Sequence, residues 1–157
     1  MALIDEKKDD NIVDIELPEI KKQRFRINGK GILELNTSDM GIVKRLNEVY
    51  PKLQKLAQKA TTFDEKELKD NSDEGLAKFA TKLDDIDRDM RNLVDELFQA
   101  NVSEVCCDDG TMYDLYGGMM RFEHIISKLS ELYENNFNKE VGKVRARIKK
   151  HTSKYTG

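Results

Sequence analysis

The side chains able to do nucleophilic or acid–base chemistry are few and poorly placed to share a site. Histidine occurs only at His124 and His151. Both fall on one predicted helix, 27 residues apart. That is about 40 Å at about 1.5 Å per residue, so a continuous helix keeps them from meeting within one chain. His124, beside Phe122 and Ile125, reads as a partly buried structural residue. Cys106-Cys107 is a vicinal pair rather than CxxC, and no second Cys/His pair stands at zinc spacing. Asp108 and Asp109 follow the cysteines but bring no histidine, so the pair reads as free cytosolic thiols. Asp84, Asp85, Asp87 and Asp89 cluster, with Asp85 and Asp89 on one helical edge, and read as the solvated face of a helix. No Walker loop, no GxGxxG after a strand and no GxSxG occurs. The expectation is a protein that is not an enzyme, with no catalytic residues, no metal and no cofactor.

A different chemistry is offered by Met112, Met119 and Met120, which sit with Tyr113, Tyr116 and Phe122 around a glycine-rich break. Flexible, polarizable methionines either plug a junction between helices or line an adaptable groove for an extended or helical segment.

The elements that must position these residues follow from periodicity. Val13, Ile15 and Leu17 alternate with Asp14 and Glu16, a strand pattern closed by Pro18. Phe25 and Ile27 alternate with Arg24 and Arg26, and Asn28-Gly29-Lys30-Gly31 is a strong turn signal before Ile32, Leu33 and Leu35. A hairpin of this size is marginal alone and must pack on something. Asn36-Thr37-Ser38-Asp39 supplies helix-capping chemistry. Val43, Leu46, Val49 or Tyr50, Leu53, Leu56 and Ala60 then repeat at helical spacing, with a kink or short break expected near Val49-Tyr50 because of Pro51. Residues 61–72 read as a polar loop with a cap at Asn71 or Ser72. The strongest helical signal is residues 74–99, where Leu76, Phe79, Leu83, Ile86, Met90, Leu93 and Leu97 form one stripe. Residues 101–118 interrupt it. A last helix from Met119 or Arg121 carries Phe122, Ile125, Ile126, Leu129, Leu132, Tyr133, Phe137, Val141, Val144 and Ile148, and is expected to fray after Ile148. The fold expected is mainly α with a small N-terminal β-hairpin, its amphipathic helices packed as a small bundle. The organisation expected is a disordered acidic arm (1–11), a single helical domain with the hairpin (12–150) and a flexible basic tail (151–157).

Composition bounds the class. Of 157 residues, 36% are charged against roughly 25% in typical soluble domains, and tryptophan is absent. Two cysteines and two prolines exclude a disulfide framework and a proline-rich low-complexity chain. No apolar run reaches a membrane span, and no secretory signal opens the chain, so a soluble intracellular protein is expected. The net charge of −3 is unevenly spread. Asp5, Glu6, Asp9, Asp10, Asp14, Glu16 and Glu19 make the start acidic; Lys139, Lys143, Arg145, Arg147, Lys149, Lys150 and Lys154 make the end basic. Opposite ends suit steering toward a partner or contact between neighbouring subunits. Nucleic acid is a weak fit, because the tail lacks interleaved aromatics apart from Tyr155.

Leu93-Val94-Asp95-Glu96-Leu97-Phe98, then Val102-Ser103-Glu104-Val105, a turn at Asp108-Asp109-Gly110 and Phe122-Glu123-His124-Ile125-Ile126 together resemble the tail assembly chaperones of long-tailed, siphovirus-like bacteriophages. The hairpin around Arg24-Phe25-Arg26-Ile27-Asn28-Gly29 and the capped Thr37-Ser38-Asp39-Met40 resemble small tail-module proteins of phages of Gram-positive hosts. The likeness spans roughly residues 20–150. Gln99-Ala100 and Cys106-Cys107 depart from it, where a glycine and an apolar pair are common.

The resemblance implies a non-catalytic protein that binds the tape measure and tail tube proteins during tail morphogenesis, in the cytoplasm of the infected host, and is absent from the finished particle. The surface expected to meet the client lies around Leu97, Phe98, Met119, Met120 and Phe122, and a homo-oligomer is compatible with it. The alternative is a small phage structural or regulatory protein that touches nucleic acid or an acidic partner through the basic C-terminal tail.

Overall fold

The computed structural model describes residues 11–62 and 65–156. It is mainly helical with an N-terminal hairpin, as the patterning requires. Strands β1 (Gln23–Ile27) and β2 (Gly31–Leu35) pair antiparallel, with Phe25 opposite Leu33. Asn28 and Gly29 both take positive φ, 51° and 72°, and Lys30 N–H closes the turn on Ile27 O at 3.0 Å. That is the primed turn whose twist matches the strands. Leu33 and Leu35 point into the core and are fully buried.

Residues 12–17 join no sheet, contrary to their alternation; they run exposed and without a turn into β1. Alternation creates an apolar edge but does not by itself bring a strand beside it, and in this structure the segment pairs with none.

Helix α1 (Ile42–Thr61) begins after two side-chain-closed turns. Asn36 Oδ1 accepts from Ser38 N at 3.1 Å and Asp39 Oδ1 accepts from Gly41 N at 2.9 Å. The expected break at Pro51 is absent, since α1 is continuous through it. Pro51 is exposed, so only one solvent-side donor is lost, while Val49 and Leu53 on the opposite face stay buried. The expected polar loop contains a one-turn helix, α2 (Glu65–Lys69), which Lys82 Nζ ties to the next helix through Glu67 at 3.1 Å.

Helix α3 (Asp73–Phe98) starts where Ser72 Oγ accepts from Gly75 N at 3.1 Å and ends at Gln99 in the left-handed region, φ 53°. Its second half carries the core residues Ile86, Met90, Val94, Leu97 and Phe98, and its main neighbour is α1. The break then holds a one-turn helix, α4 (Val102–Cys106), and a minimal ladder of β3 (Leu115–Tyr116) with β4 (Met119–Met120) around Gly117-Gly118. Helix α5 (Arg121–Thr156) runs on past Ile148, the expected point of fraying.

The core is one cluster in which β2, α1, α3, α4 and the first turns of α5 meet: Leu33, Leu53, Met90, Val102, Met112 and Phe122 are each 0–1% exposed.

Candidate docking groove

The glycine-rich break is fastened to α3 by polar side chains. Arg91 donates to Asp87 Oδ2 at 2.8 Å, to Cys107 O at 3.2 Å and to Gly110 O at 2.7 Å. Asp87 Oδ1 accepts from Met112 N at 2.7 Å, and Asp95 takes both the amide and hydroxyl of Ser103 at 2.7 Å. Asp87 is therefore not part of a solvated face. It is an acceptor for a backbone amide that would otherwise be buried without a partner. Asp85 and Asp89 do face outward and flank Arg88 at 3.1 and 3.6 Å.

This fastening decides the methionine cluster. Met112 is 0% and Met120 6% exposed, so they plug the junction. Of the residues expected to meet a client, Leu97 and Phe122 are 1% exposed, Phe98 3%, and Met119 is half-buried. The expected docking surface around Leu97, Phe98, Met119, Met120 and Phe122 is corrected accordingly: its apolar groups already cover one another. Phe98 packs on Tyr133, ring centroids 5.9 Å apart, and Phe122 on Tyr50 at 6.4 Å. Burial pushes the Tyr133 hydroxyl up to about 12.

The remaining chemical candidates are the two cysteines and the two histidines. Burial, the neighbouring Cys107 and Asp95 push the Cys106 thiol up to about 11, which keeps it protonated and weakly nucleophilic. Cys107 is buried, its Sγ 3.2 Å from Arg91 Nη2 and 3.7 Å from Arg121 Nη1. Desolvation raises its pKa despite both arginines. His124 stacks on Tyr116 at 4.5 Å and hydrogen-bonds Tyr116 O, which stitches the small ladder to α5. His151 lies on the same helix, α5. Among the described residues no group of three or more His, Cys, Asp or Glu could hold a metal ion, and no helix is long and apolar enough to cross a membrane.

The open apolar surface lies elsewhere, between α1 and α5. Three depressions of about 490, 430 and 440 Å³ adjoin in series, the first and second sharing Met40 and Phe137 and the second and third sharing Val43 and Leu46. The groove runs from Tyr50, Pro51 and Ile126 at one end to Val144 and Arg145 at the other. Ile126 to Val144 spans 18 helical positions, about 27 Å at about 1.5 Å per residue. Its floor near Thr37 is pinned by Asn136, which donates to Thr37 O at 3.2 Å. Beyond Tyr133 the stripe of α5 is less buried: Phe137 and Val144 are 43% and Ile148 58% exposed, with the half-buried Val141 between Phe137 and Val144. The sequence carried a signal for this. The final stripe persists long after the companion helices end, with 36 residues in α5 against 20 in α1 and 26 in α3.

Comparison with protein-family models, curated proteins and solved structures yields no match to this chain.

Proposed function

We propose that this chain is a non-catalytic docking protein whose α1–α5 groove receives an amphipathic helix of a client. The observation that carries the reading is the apolar stripe Phe137, Val141 and Val144 along the groove, with Phe137 and Val144 each 43% exposed. Apolar side chains at alternating three- and four-residue steps match the surface of another helix, and a helix laid in such a groove removes them from water. About five turns of client would fit along the 27 Å estimated from the helical rise.

The client we propose is the tape measure protein of a long-tailed phage, with the tail tube protein as second partner, in the cytoplasm of the infected bacterium. The resemblance of residues 20–150 to tail assembly chaperones supports this choice. Physical demands on such a protein support it too, since a chaperone of long helical surface must be apolar along one line and strongly charged elsewhere. Co-expression with tape measure and tail tube proteins followed by affinity capture tests it. Co-purification at a defined ratio is expected; recovery of the chain alone would sink the reading.

A second reading rests on the exposed basic positions Lys139, Lys143, Arg145, Arg147 and Lys150 of α5. It expects capture of nucleic acid or an acidic partner that weakens steeply with salt and disappears when residues 143–157 are removed.

A further inference from the structure

Residues 12–17 and strand β1 lack complementary things. The segment has strand alternation without a partner: Val13, Ile15 and Leu17 are 80%, 74% and 78% exposed. Strand β1 has an edge without a partner, because β2 occupies one side and no backbone hydrogen bond reaches the other among the described residues. Unpaired edges of this kind are templates for strand addition.

The side chains define one register. β1 turns Phe25 and Ile27, half-buried, to one face and Arg24 and Arg26 to the other. An antiparallel alignment with Ile15 opposite Phe25 puts Val13 opposite Ile27. It also puts Asp14 opposite Arg26 and Glu16 opposite Arg24. The aliphatic side chains then extend the apolar face of the hairpin, and both acids meet arginines. Arg26 stands opposite Ile32 on its other side, so no acid faces it across the hairpin. Arg24 reaches Glu34 at 3.5 Å, an exposed and therefore weak pair that leaves room for a second acid. Slipping the register by one residue would lay Asp14 and Glu16 on the apolar face.

In this structure the chain does not make this pairing with itself: residues 12–22 form no strand and no turn back toward β1. Residues 18–22 would have to be the hairpin loop. They are Pro18, Glu19, Ile20, Lys21 and Lys22, with no glycine, asparagine or aspartate to take positive φ. The segment runs without a turn and has no positive-φ residue. Extended, five residues reach up to about 17 Å, enough to deliver residues 12–17 to a neighbouring molecule.

We propose that residues 12–17 pair with β1 of a second copy of this chain, each protomer giving its segment to the other. The product is a two-fold dimer with a three-stranded antiparallel sheet in each protomer. It is an exchange of identical elements between two copies. Nothing in this pairing depends on the groove between α1 and α5.

The test is sedimentation equilibrium of the full chain and of two charge-reversed variants, Asp14→Lys/Glu16→Lys and Arg24→Glu/Arg26→Glu. The unaltered chain is expected to be a dimer. Each variant alone places like charges opposite one another, and its dimer dissociation constant is expected to rise by about tenfold or more. Mixed in equal amounts, the two variants restore both opposite-charge pairs, and a heterodimer is expected. Ile15→Asp, at a position already 74% exposed in the single chain, is expected to be a folded monomer by circular dichroism. A monomeric unaltered chain, variants that dimerise as the parent does, or a mixture that stays monomeric would overturn the proposal. A monomer whose amides at 13–17 resist hydrogen exchange would overturn it in favour of pairing within one chain. An open series of larger species would overturn reciprocal exchange.

Discussion

The two halves of α5 obey the same sequence pattern and meet opposite fates. From Phe122 to Tyr133 the apolar stripe is buried against Phe98, Tyr50 and the fastened break. From Phe137 to Ile148 the stripe continues at the same spacing, and Phe137, Val144 and Ile148 are exposed. The difference is not in the helix but in what lies beside it. Helix α3 ends at Phe98 and α1 spans only 20 residues, so the bundle covers the first half of α5 closely and the second only in part, through Thr37, Ser38 and Met40 beside Phe137, Val141 and Val144. A periodic stripe thus states that a face wants covering; the lengths of its neighbours state whether the chain itself covers it.

The largest effect is expected at the buried half. Phe122→Ala removes a 1% exposed ring that touches Tyr50 and sits in the middle of the core. A loss of about 3–5 kcal/mol is expected in urea unfolding, combining lost transfer energy with an unfilled cavity. A loss below about 1 kcal/mol would mean that the site collapses around the missing ring, and the contrast between the two halves would fail.

Much of this was legible in the residues. The hairpin was, because Asn28-Gly29 admits few turns, and so was α3, because its stripe and the Ser72 cap agree. The break at 101–118 was less so. Its polar contacts run from Arg91 and Asp87 to backbone groups 16 to 25 positions away, and no local pattern encodes such pairs. The same blindness misplaced the docking surface. Leu97, Phe98, Met120 and Phe122 are apolar enough for either role, and only the folded-back break decides that they are interior. At Pro51 a local rule was overruled by tertiary packing on the opposite face of α1.

Arg91 tests whether that fastening is what closes the junction. Arg91→Met keeps the stem but leaves Cys107 O without its donor, Gly110 O with only the weak Cys107 thiol at 3.4 Å, and Asp87 without its counter-charge. A loss of about 2–3 kcal/mol is expected, because partly buried acceptors are stranded. Faster amide exchange across residues 107–112 should accompany it. Unchanged exchange there would show that the break is held by its apolar contacts alone.

Asp114 gives a smaller effect with a pH signature. The Thr111 hydroxyl at 2.6 Å, the Thr111 amide at 3.1 Å and Arg121 hold its carboxyl below the usual carboxylate range. The contribution is therefore fully present above the unfolded value, about 3.9, and fades as pH falls through the lower folded value. Asp114→Asn is expected to be less stable than the parent at pH 6 and to approach it in acid. The side chain is 41% exposed, so solvent screening keeps the difference small. A gap between the two proteins that does not change with pH would remove ionisation as its cause.

The smallest expected change in stability falls on the less covered half of α5, where it separates folding from docking. Val144→Asp alters a position that is 43% exposed and outside the buried cluster. Its stability is expected to stay within about 0.5 kcal/mol of the parent, as for surface substitutions away from special features. A carboxylate in the middle of the groove's open end would nevertheless have to be desolvated when a client helix lies down on it, which costs far more than the lost methyl groups. Capture of the client should then fail while the melting temperature holds. Loss of both would mean that the distal stripe is already covered within the single chain. Loss of neither would mean that the groove is empty in every state of the protein.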